Sequence, residues 1–353
     1  MSEEFKKENL STDNYSCPNC GGKTTFDPKT QTLKCPYCFT ETPISSFGES
    51  DRVDEQDLHF LLSETQVWDN TEVVQCQNCG SKEVLGKGQI ATCCAFCGTT
   101  NIVRTSEIVG MKPHGVCPFL ITDVDASANA KKWAKSKIFA PNSFKKSAEA
   151  KEIKGVYTPA FTFDCDTFTT YKGVLVETHR DSDGDTHKRF FDIAGKHDQK
   201  FDDLIVQASS SIPLATLNKL APFPTNACLP YDQKYLAGFT ANTYSKDGKQ
   251  AWSDCKKSMD GIIRRNILRG YRYDYVDKFD ADTTYNNAKF KYVLLPMYVG
   301  HHTFKGKNYN FFVNGSTGKV AGKSPVSIWK ALLMGVGVAA IIALIVFIAL
   351  MGR

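Results

Sequence analysis

The chain writes one cysteine pattern twice: Cys-x2-Cys, fourteen residues, then Cys-x2-Cys. The first copy is Cys17, Cys20, Cys35 and Cys38; the second is Cys76, Cys79, Cys94 and Cys97. A Cys-x2-Cys step turns two sulfurs to one side of a tight knuckle. A second knuckle across a short hairpin completes a tetrahedron that suits one zinc ion. Proline and glycine mark the knuckles, as in Cys17-Pro18-Asn19-Cys20-Gly21-Gly22, Cys35-Pro36-Tyr37-Cys38 and Cys94-Ala95-Phe96-Cys97-Gly98. Cys93 tests the register: using it shortens its loop by one residue and breaks the repeat, so Cys94 is the expected ligand. Two zinc ribbons follow, each with one structural ion, because four closed thiolates leave no position for substrate. Disulfides or an iron–sulfur cluster are the competing uses of eight cysteines. Disulfides need an exported domain, and the charged start Met1-Ser2-Glu3-Glu4-Phe5-Lys6-Lys7 is unlike a secretory signal. About forty residues bury too little apolar surface to fold alone, so metal is expected to stabilise each ribbon.

At 353 residues the chain has room for two or three domains. Five cysteines stand outside the repeat: Cys93, Cys117, Cys165, Cys228 and Cys255. Scattered and odd in number, they read as thiols in a reducing compartment. The net charge of +5 is unevenly spread. Residues 1–110 hold 9 Lys/Arg against 16 Asp/Glu, a balance of −7, which leaves +12 on the rest. Each zinc–tetrathiolate centre would add about −2 to the acidic end.

From Ala331 to Met351 run twenty-one residues without a charge. As a helix they reach about 31 Å, the thickness of a hydrocarbon core. Lys319, Lys323 and Lys330 precede the run and Trp329 stands at its edge. The expectation is a single-pass, C-terminal membrane anchor with the N-terminal domains in the cytoplasm, an orientation that positive residues before the span favour. A buried core helix is the other reading of an apolar run. Gly335, Ala339 and Ala343 fall four apart on one face, which suits a partner helix or a homodimer.

Residues 108–325 read as α+β. A helix is expected after Asp125 as N-cap, through Lys131-Lys132-Trp133-Ala134-Lys135, and a longer one from Gln250 to Leu268, ending at Gly270. Strands are expected at Val156–Phe163 and Phe168–Thr178, the latter forming a hairpin with His187–Ile193 across Asp183-Gly184. Further strands are expected at Lys291–Tyr298, His302–Phe304 and Tyr309–Val313, closed by a turn at Asn314-Gly315. The stretch Val156-Tyr157-Thr158-Pro159-Ala160-Phe161 is similar to Leu294-Leu295-Pro296-Met297-Tyr298. Each is followed by an aromatic-Lys-Gly step, Tyr171-Lys172-Gly173 and Phe304-Lys305-Gly306. A duplicated helix-then-hairpin unit is one explanation and chance similarity the other. The prolines argue for edge strands or strand starts.

Other candidate sites are bland. Asp181-Ser182-Asp183-Gly184-Asp185 lacks the glycine and glutamate spacing of a calcium loop and reads as a solvated turn. His301 and His302 are adjacent, so in a strand they face opposite sides and do not chelate one metal. No Gly-rich phosphate loop, nucleophile elbow or His-Glu-x-x-His helix occurs, so no catalytic residue is nominated. Nucleic-acid affinity comes mainly from Lys/Arg against phosphate, and the acidic ribbon region works against it despite Lys23, Lys29, Lys34, Lys82 and Lys87. No nucleic-acid-binding residue is nominated either. The basic excess instead lies next to the anchor, beside membrane lipid.

With these motifs the whole chain resembles a bacterial family of membrane-anchored double-zinc-ribbon proteins. Its members are described as transcription-factor-IIB-type zinc-ribbon proteins or as primosomal protein N′-like helicases. Besides the cysteines, the resemblance rests on Tyr157-Thr158-Pro159-Ala160-Phe161-Thr162-Phe163-Asp164, on 229–239 (Leu-Pro-Tyr-Asp-Gln-Lys-Tyr-Leu-Ala-Gly-Phe), and on 314–325 (Asn-Gly-Ser-Thr-Gly-Lys-Val-Ala-Gly-Lys-Ser-Pro). The chain departs at Ala160-Phe161 and Lys323, where bulkier aromatic and acidic residues are usual. The resemblance implies a scaffold or recruiter at the cytoplasmic membrane, beside flotillin-like or phage-shock-type proteins, with no catalytic residues to carry over.

The resulting expectation is an α+β protein with two N-terminal zinc ribbons, a mixed body with antiparallel hairpins, and one C-terminal transmembrane helix. The boundaries are 1–48 for ribbon 1, 49–68 for an acidic connector, 69–107 for ribbon 2, 108–325 for the body and 326–353 for the anchor. Its expected function is a non-enzymatic, tail-anchored adaptor whose cytosolic ribbons dock protein partners, in membrane stress. The alternative is a membrane-tethered nucleic-acid binder.

Overall fold

The computed structural model of the protein describes residues 15–44, 53–63, 67–68, 72–85, 94–96, 99, 102–105, 108–109, 111–147, 153–181, 184–209, 212–242, 246 and 248–351. The first ribbon is an antiparallel sheet of β1 (Thr25–Asp27), β2 (Thr32–Lys34) and β3 (Glu41–Pro43). The connector holds β4 (Gln56–Asp57), a short helix α1 (Leu58–Ser63) and β5 (Val67–Trp68). The second ribbon contributes β6 (Glu72–Cys76), β7 (Lys82–Leu85) and β8 (Ile102–Thr105), followed by β9 (Ile108–Val109), which pairs with β5. Next come β10 (Gly115–Val116), α2 (Asp123–Ser136), α3 (Asn142–Ser147), β11 (Ile153–Arg180) and β12 (Thr186–Gln207). Then follow α4 (Leu214–Leu220), β13 (Leu229–Pro230), β14 (Thr240–Asn242) and α5 (Gly248–Leu268). The chain ends with β15 (Tyr275–Phe304), β16 (Lys307–Asn314), β17 (Val320–Gly322) and α6 (Ile328–Met351).

Two very long strands organise the body. β11 and β15 run antiparallel from Ile153 opposite Gly300 to Val176 opposite Tyr275, and β12 flanks β11 from Ala160 opposite Gln207 to Arg180 opposite Thr186. Strands of 28 and 30 residues reach roughly 90 Å. The separate strands expected at 156–163 and 168–178 are therefore one strand, with a register shift between Phe163 and Cys165 at the expected break. Those expected at 291–298 and 302–304 also merge. Acidic residues interrupt the apolar run, yet the alternation persists beneath them. Cys165, Thr167 and Thr169 stay buried while Phe168 and Thr170 point to solvent.

α5 supplies the cover. Ala251, Cys255, Met259, Ile263 and Ile267 form a buried stripe four residues apart, packed against Phe161, Phe163, Cys165, Phe201 and Phe290. α2 uses a stripe of small residues, Ala126, Ala130 and Ala134, which lets it lie close to the sheet. The helix has its N-cap three residues before the expected one, Asp125. Thr122 caps it, and Asp125 reaches back to the Thr122 N–H at 3.2 Å, closing a capping box. Thr122-x-x-Asp125 is the shorter, acidic variant of that motif, so Asp125 itself reads as the cap in the sequence.

The prolines occupy central strands, not edges. Pro159 lies opposite Leu294 and Pro296 opposite Tyr157. Within a strand the N–H and C=O of one residue point to the same side. The Pro159 carbonyl accepts from Ala208 at 3.3 Å and the Pro296 carbonyl from Gly315 at 2.9 Å. Each missing N–H thus faces a junction: that between β14 and β12 beside β11, and that between β10 and β16 beside β15. A proline there removes no ladder hydrogen bond. The aromatic-Lys-Gly steps do not correspond: Tyr171–Gly173 lies inside β11, whereas Lys305 and Gly306 form the turn after Phe304.

Both ribbons are fastened to the body. Phe26 of the first donates its N–H to the Ala237 carbonyl at 2.9 Å and packs edge-on to Tyr235. Gln31 Nε2 donates to the Phe119 carbonyl at 2.8 Å. In the second ribbon, β7 pairs with β14, Val84 opposite Ala241, so its hairpin extends the main sheet. α6 is long and apolar enough to cross a membrane, and no part of its apolar window is buried, unlike a core helix.

Candidate metal centres

Backbone geometry builds the knuckles. The N–H of the first cysteine in each Cys-x2-Cys step donates to the carbonyl five residues on: Cys17 to Gly22, Cys35 to Thr40, Cys76 to Ser81 and Cys94 to Thr99, at 2.7–3.0 Å. A second bond returns from the fourth residue, as in Gly21 to Cys17, Phe39 to Cys35 and Gly80 to Cys76. That fourth residue needs positive φ, which Gly21 and Gly80 adopt at +71° and +72° and Phe39 at +60°. These paired bonds hold the knuckle amides toward the sulfurs.

In the first ribbon the four Sγ atoms of Cys17, Cys20, Cys35 and Cys38 lie within 4.8 Å of one another. Cys17 and Cys38 sulfurs are 3.4 Å apart, Cys20 and Cys35 sulfurs 3.5 Å. Sulfurs about 2.3 Å from one zinc stand roughly 3.8 Å apart, so the cage has the size of a tetrathiolate zinc site. Electrostatics agree. The hydroxyl and amide of Thr40 pull the Cys38 thiol down to about 5, which favours the thiolate. The Gly22 amide pulls Cys20 the same way, yet the neighbouring Cys38 and Cys35 sulfurs overrule it and push Cys20 up to about 12. Four sulfurs this close cannot all be anionic without a cation among them, and a dication relieves that conflict.

The second cluster brings together Cys76, Cys79 and Cys94 with the same geometry, Cys79 and Cys94 sulfurs being 3.7 Å apart. Cys97 and Cys93 lie outside the described residues. The Ser81 hydroxyl sits 3.3 Å from Cys79 Sγ and 3.2 Å from Cys94 Sγ. Both cysteine groups therefore fit zinc ribbons and can hold metal. Sequence reasoning missed these hydroxyls, although a signal exists: Thr40, Ser81 and Thr99 each stand two residues after the last cysteine of a knuckle.

The two ribbons differ at their second knuckles. In ribbon 2, Ala95 and Phe96 are buried in the body core, where the Ala95 carbonyl meets His301 Nε2 and the Phe96 carbonyl accepts from Asn310 Nδ2, both at 3.1 Å. In ribbon 1 the corresponding knuckle points away: Tyr37 is 73% and Phe39 69% exposed. Lys34 beside them is neutralised by Asp27 at 3.6 Å and Glu41 at 3.3 Å. His302, the other expected histidine, faces the opposite side and packs edge-on against Phe144.

Two further groupings escaped the sequence. Cys117 and Cys228 form a disulfide across 111 residues, so two of the five extra cysteines are paired and not free thiols. Glu55, Asp164, Asp203 and Lys291 form a charge network around the buried Lys291, with Lys291 Nζ 2.7 Å from Asp203 and 3.5 Å from Glu55. Nothing in the local sequence links Glu55 to residues so far along the chain. Their meeting depends on β4 pairing with β15.

No known family model matches the chain, and no solved structure matches it. A curated relative, "Uncharacterized protein YdjG" of Bacillus subtilis (strain 168), is 27% identical over 330 residues, which cover 92% of this chain and 94% of that one.

Proposed function

We propose that this protein is a non-enzymatic adaptor held at the membrane by α6, with two structural zinc ions forming its cytosolic end and a protein partner docking on the first ribbon. It fits the family of membrane-anchored double-zinc-ribbon proteins that the sequence resembles. The ligands would be Cys17, Cys20, Cys35 and Cys38 for one ion and Cys76, Cys79, Cys94 and Cys97 for the other. Zinc suits four-thiolate cages without an open position, which supply rigidity and no chemistry.

One observation carries the docking site: the body buries the second knuckle of ribbon 2 but leaves Tyr37 and Phe39 of ribbon 1 in water. Aromatic side chains on a rigid support are typical anchors of protein interfaces. The paired charge of Lys34 and the acidic surroundings disfavour a polyanion at the same place.

The test is affinity capture from detergent extracts with the full chain and with Tyr37→Ala/Phe39→Ala. The proposal expects a defined protein bound by the parent and lost from the variant, with zinc content equal in both. Retention of the same partner by the variant, or recovery of nucleic acid alone in a salt-sensitive manner, contradicts it.

A further inference from the structure

The join between α6 and the body carries more than a linker. Ser327 donates its N–H to the Phe139 carbonyl at 2.8 Å. Lys330 Nζ donates to the Ala140 carbonyl at 2.8 Å and to Asn142 Oδ1 at 2.7 Å. These bonds fasten the loop between α2 and α3 to the first turn of α6. The loop's own interior side is secured by Ala140 and Phe144, which are buried with Ala134. Its outer side is apolar and open: Ile138 is 65% and Phe139 40% exposed. Val326, Ile328 and Trp329 on the other side of the same join are also exposed.

An isolated exposed apolar residue is ordinary, but five around one fixed joint are not scattered singly. Position explains them. Ser327 lies four residues before the apolar run at Ala331, about 6 Å along the helix axis. If α6 spans a bilayer, its hydrogen-bonded neighbour must sit at headgroup level. That is where tryptophan and phenylalanine are favoured, and where apolar side chains leave water by entering the acyl boundary. Charge fits the same plane. Lys135 stands in the last turn of α2 and Lys137 opens the loop, and Lys145 and Lys146 follow it in α3. Lysines flanking a shallow apolar insertion match anionic headgroups.

We propose that the α2–α3 loop is a second membrane contact: Ile138 and Phe139 insert into the anionic interface beside the anchor, and the flanking lysines hold lipid headgroups. This rests on the reading of α6 as the membrane span. It adds that the body is held against the bilayer in a set orientation, and does not swing on a free tether.

The experiment uses the full chain in vesicles of phosphatidylcholine and phosphatidylglycerol, with photoreactive benzoylphenylalanine replacing Phe139, Phe347 or Phe190 in turn. Phe347 reports the anchor. Phe190 is exposed near the far end of the long sheet, opposite Val176. Lipid adducts are expected at positions 139 and 347, with the yield at 139 several-fold above that at 190. A yield at 139 no higher than at 190, while 347 labels strongly, overturns the loop contact and leaves the anchor standing. Absence of adducts at 347 overturns the anchor and the proposal together. Vesicles of phosphatidylcholine alone should lower the yield at 139; an unchanged yield overturns the role given to the lysines.

Discussion

Thr158 lies directly opposite Leu295 in the β11–β15 ladder, and the pairing around them repeats at a fixed offset of 137 residues. Val156 and Tyr157 pair in parallel with β14; Val293 and Leu294, each 137 residues on, pair in parallel with β10. Ala160 closes its hairpin opposite Gln207, and Met297, again 137 on, closes its own opposite Asn314. The arrangement is that of two strand–helix–hairpin units exchanging their first strands, which a duplicated gene segment would produce.

Gln207 and Asn314 occupy matching places but differ in what they hold. Asn314 is fully buried: its amide donates to the carbonyls of Leu220 and Pro222, and its oxygen accepts from the N–H groups of Ser316 and Thr317. Gln207 Nε2 has no partner among the described residues. Asn314→Ala should cost roughly 3 kcal/mol, at about 1 per hydrogen bond lost with some penalty offset by relaxation. Gln207→Leu should cost under about 1 kcal/mol. Urea unfolding of the detergent-solubilised chain separates the two.

Phe39 is the non-glycine residue at a knuckle position that glycine fills at Gly21 and Gly80. Its left-handed backbone carries a cost that Phe39→Gly would relieve, by about 1 kcal/mol. The variant should hold metal more tightly against a competing chelator than the parent. Gly80→Ala should weaken the second ribbon by a similar amount.

Asp164 gives the fold a pH dependence. Burial, and then the facing Glu55 carboxyl, push Asp164 up to about 7. The folded chain therefore keeps a proton that the unfolded chain releases near the ordinary aspartate value. Stability from this group is whole below that value and is lost as pH rises through about 7. Glu55 works the other way: Asp164's hydrogen bond, then Lys291's charge, hold it low, so its contribution is lost as pH falls through its lowered value. His114 and His302, whose protonation burial disfavours, act in the opposite sense and add stability as pH rises. Asp164→Asn, which can still accept from the Asp203 N–H, isolates the Asp164 part: the parent's melting temperature relative to this variant should fall from about pH 5 to 8.

Much of this was legible beforehand, for reasons that can be named. The cysteine spacing specifies its own geometry, because a Cys-x2-Cys turn has few ways to close around a metal. The uncharged run at 331–351 is long enough to declare itself. α5 is legible to within two residues at its start because its apolar residues recur every four positions. The long strands were not legible: acidic interruptions on the solvent face of β11 look like loops until α5 is known to cover the other face. Ribbon docking was also hidden, since Phe26 against Tyr235 and Ala95 against His301 are contacts between segments about two hundred residues apart.

Metal content tests the central claim most directly. Elemental analysis of the purified full-length protein should return two zinc ions per chain, falling to one in Cys38→Ala and to one in Cys79→Ala. A parent protein without zinc, or with iron in its place, would contradict the account.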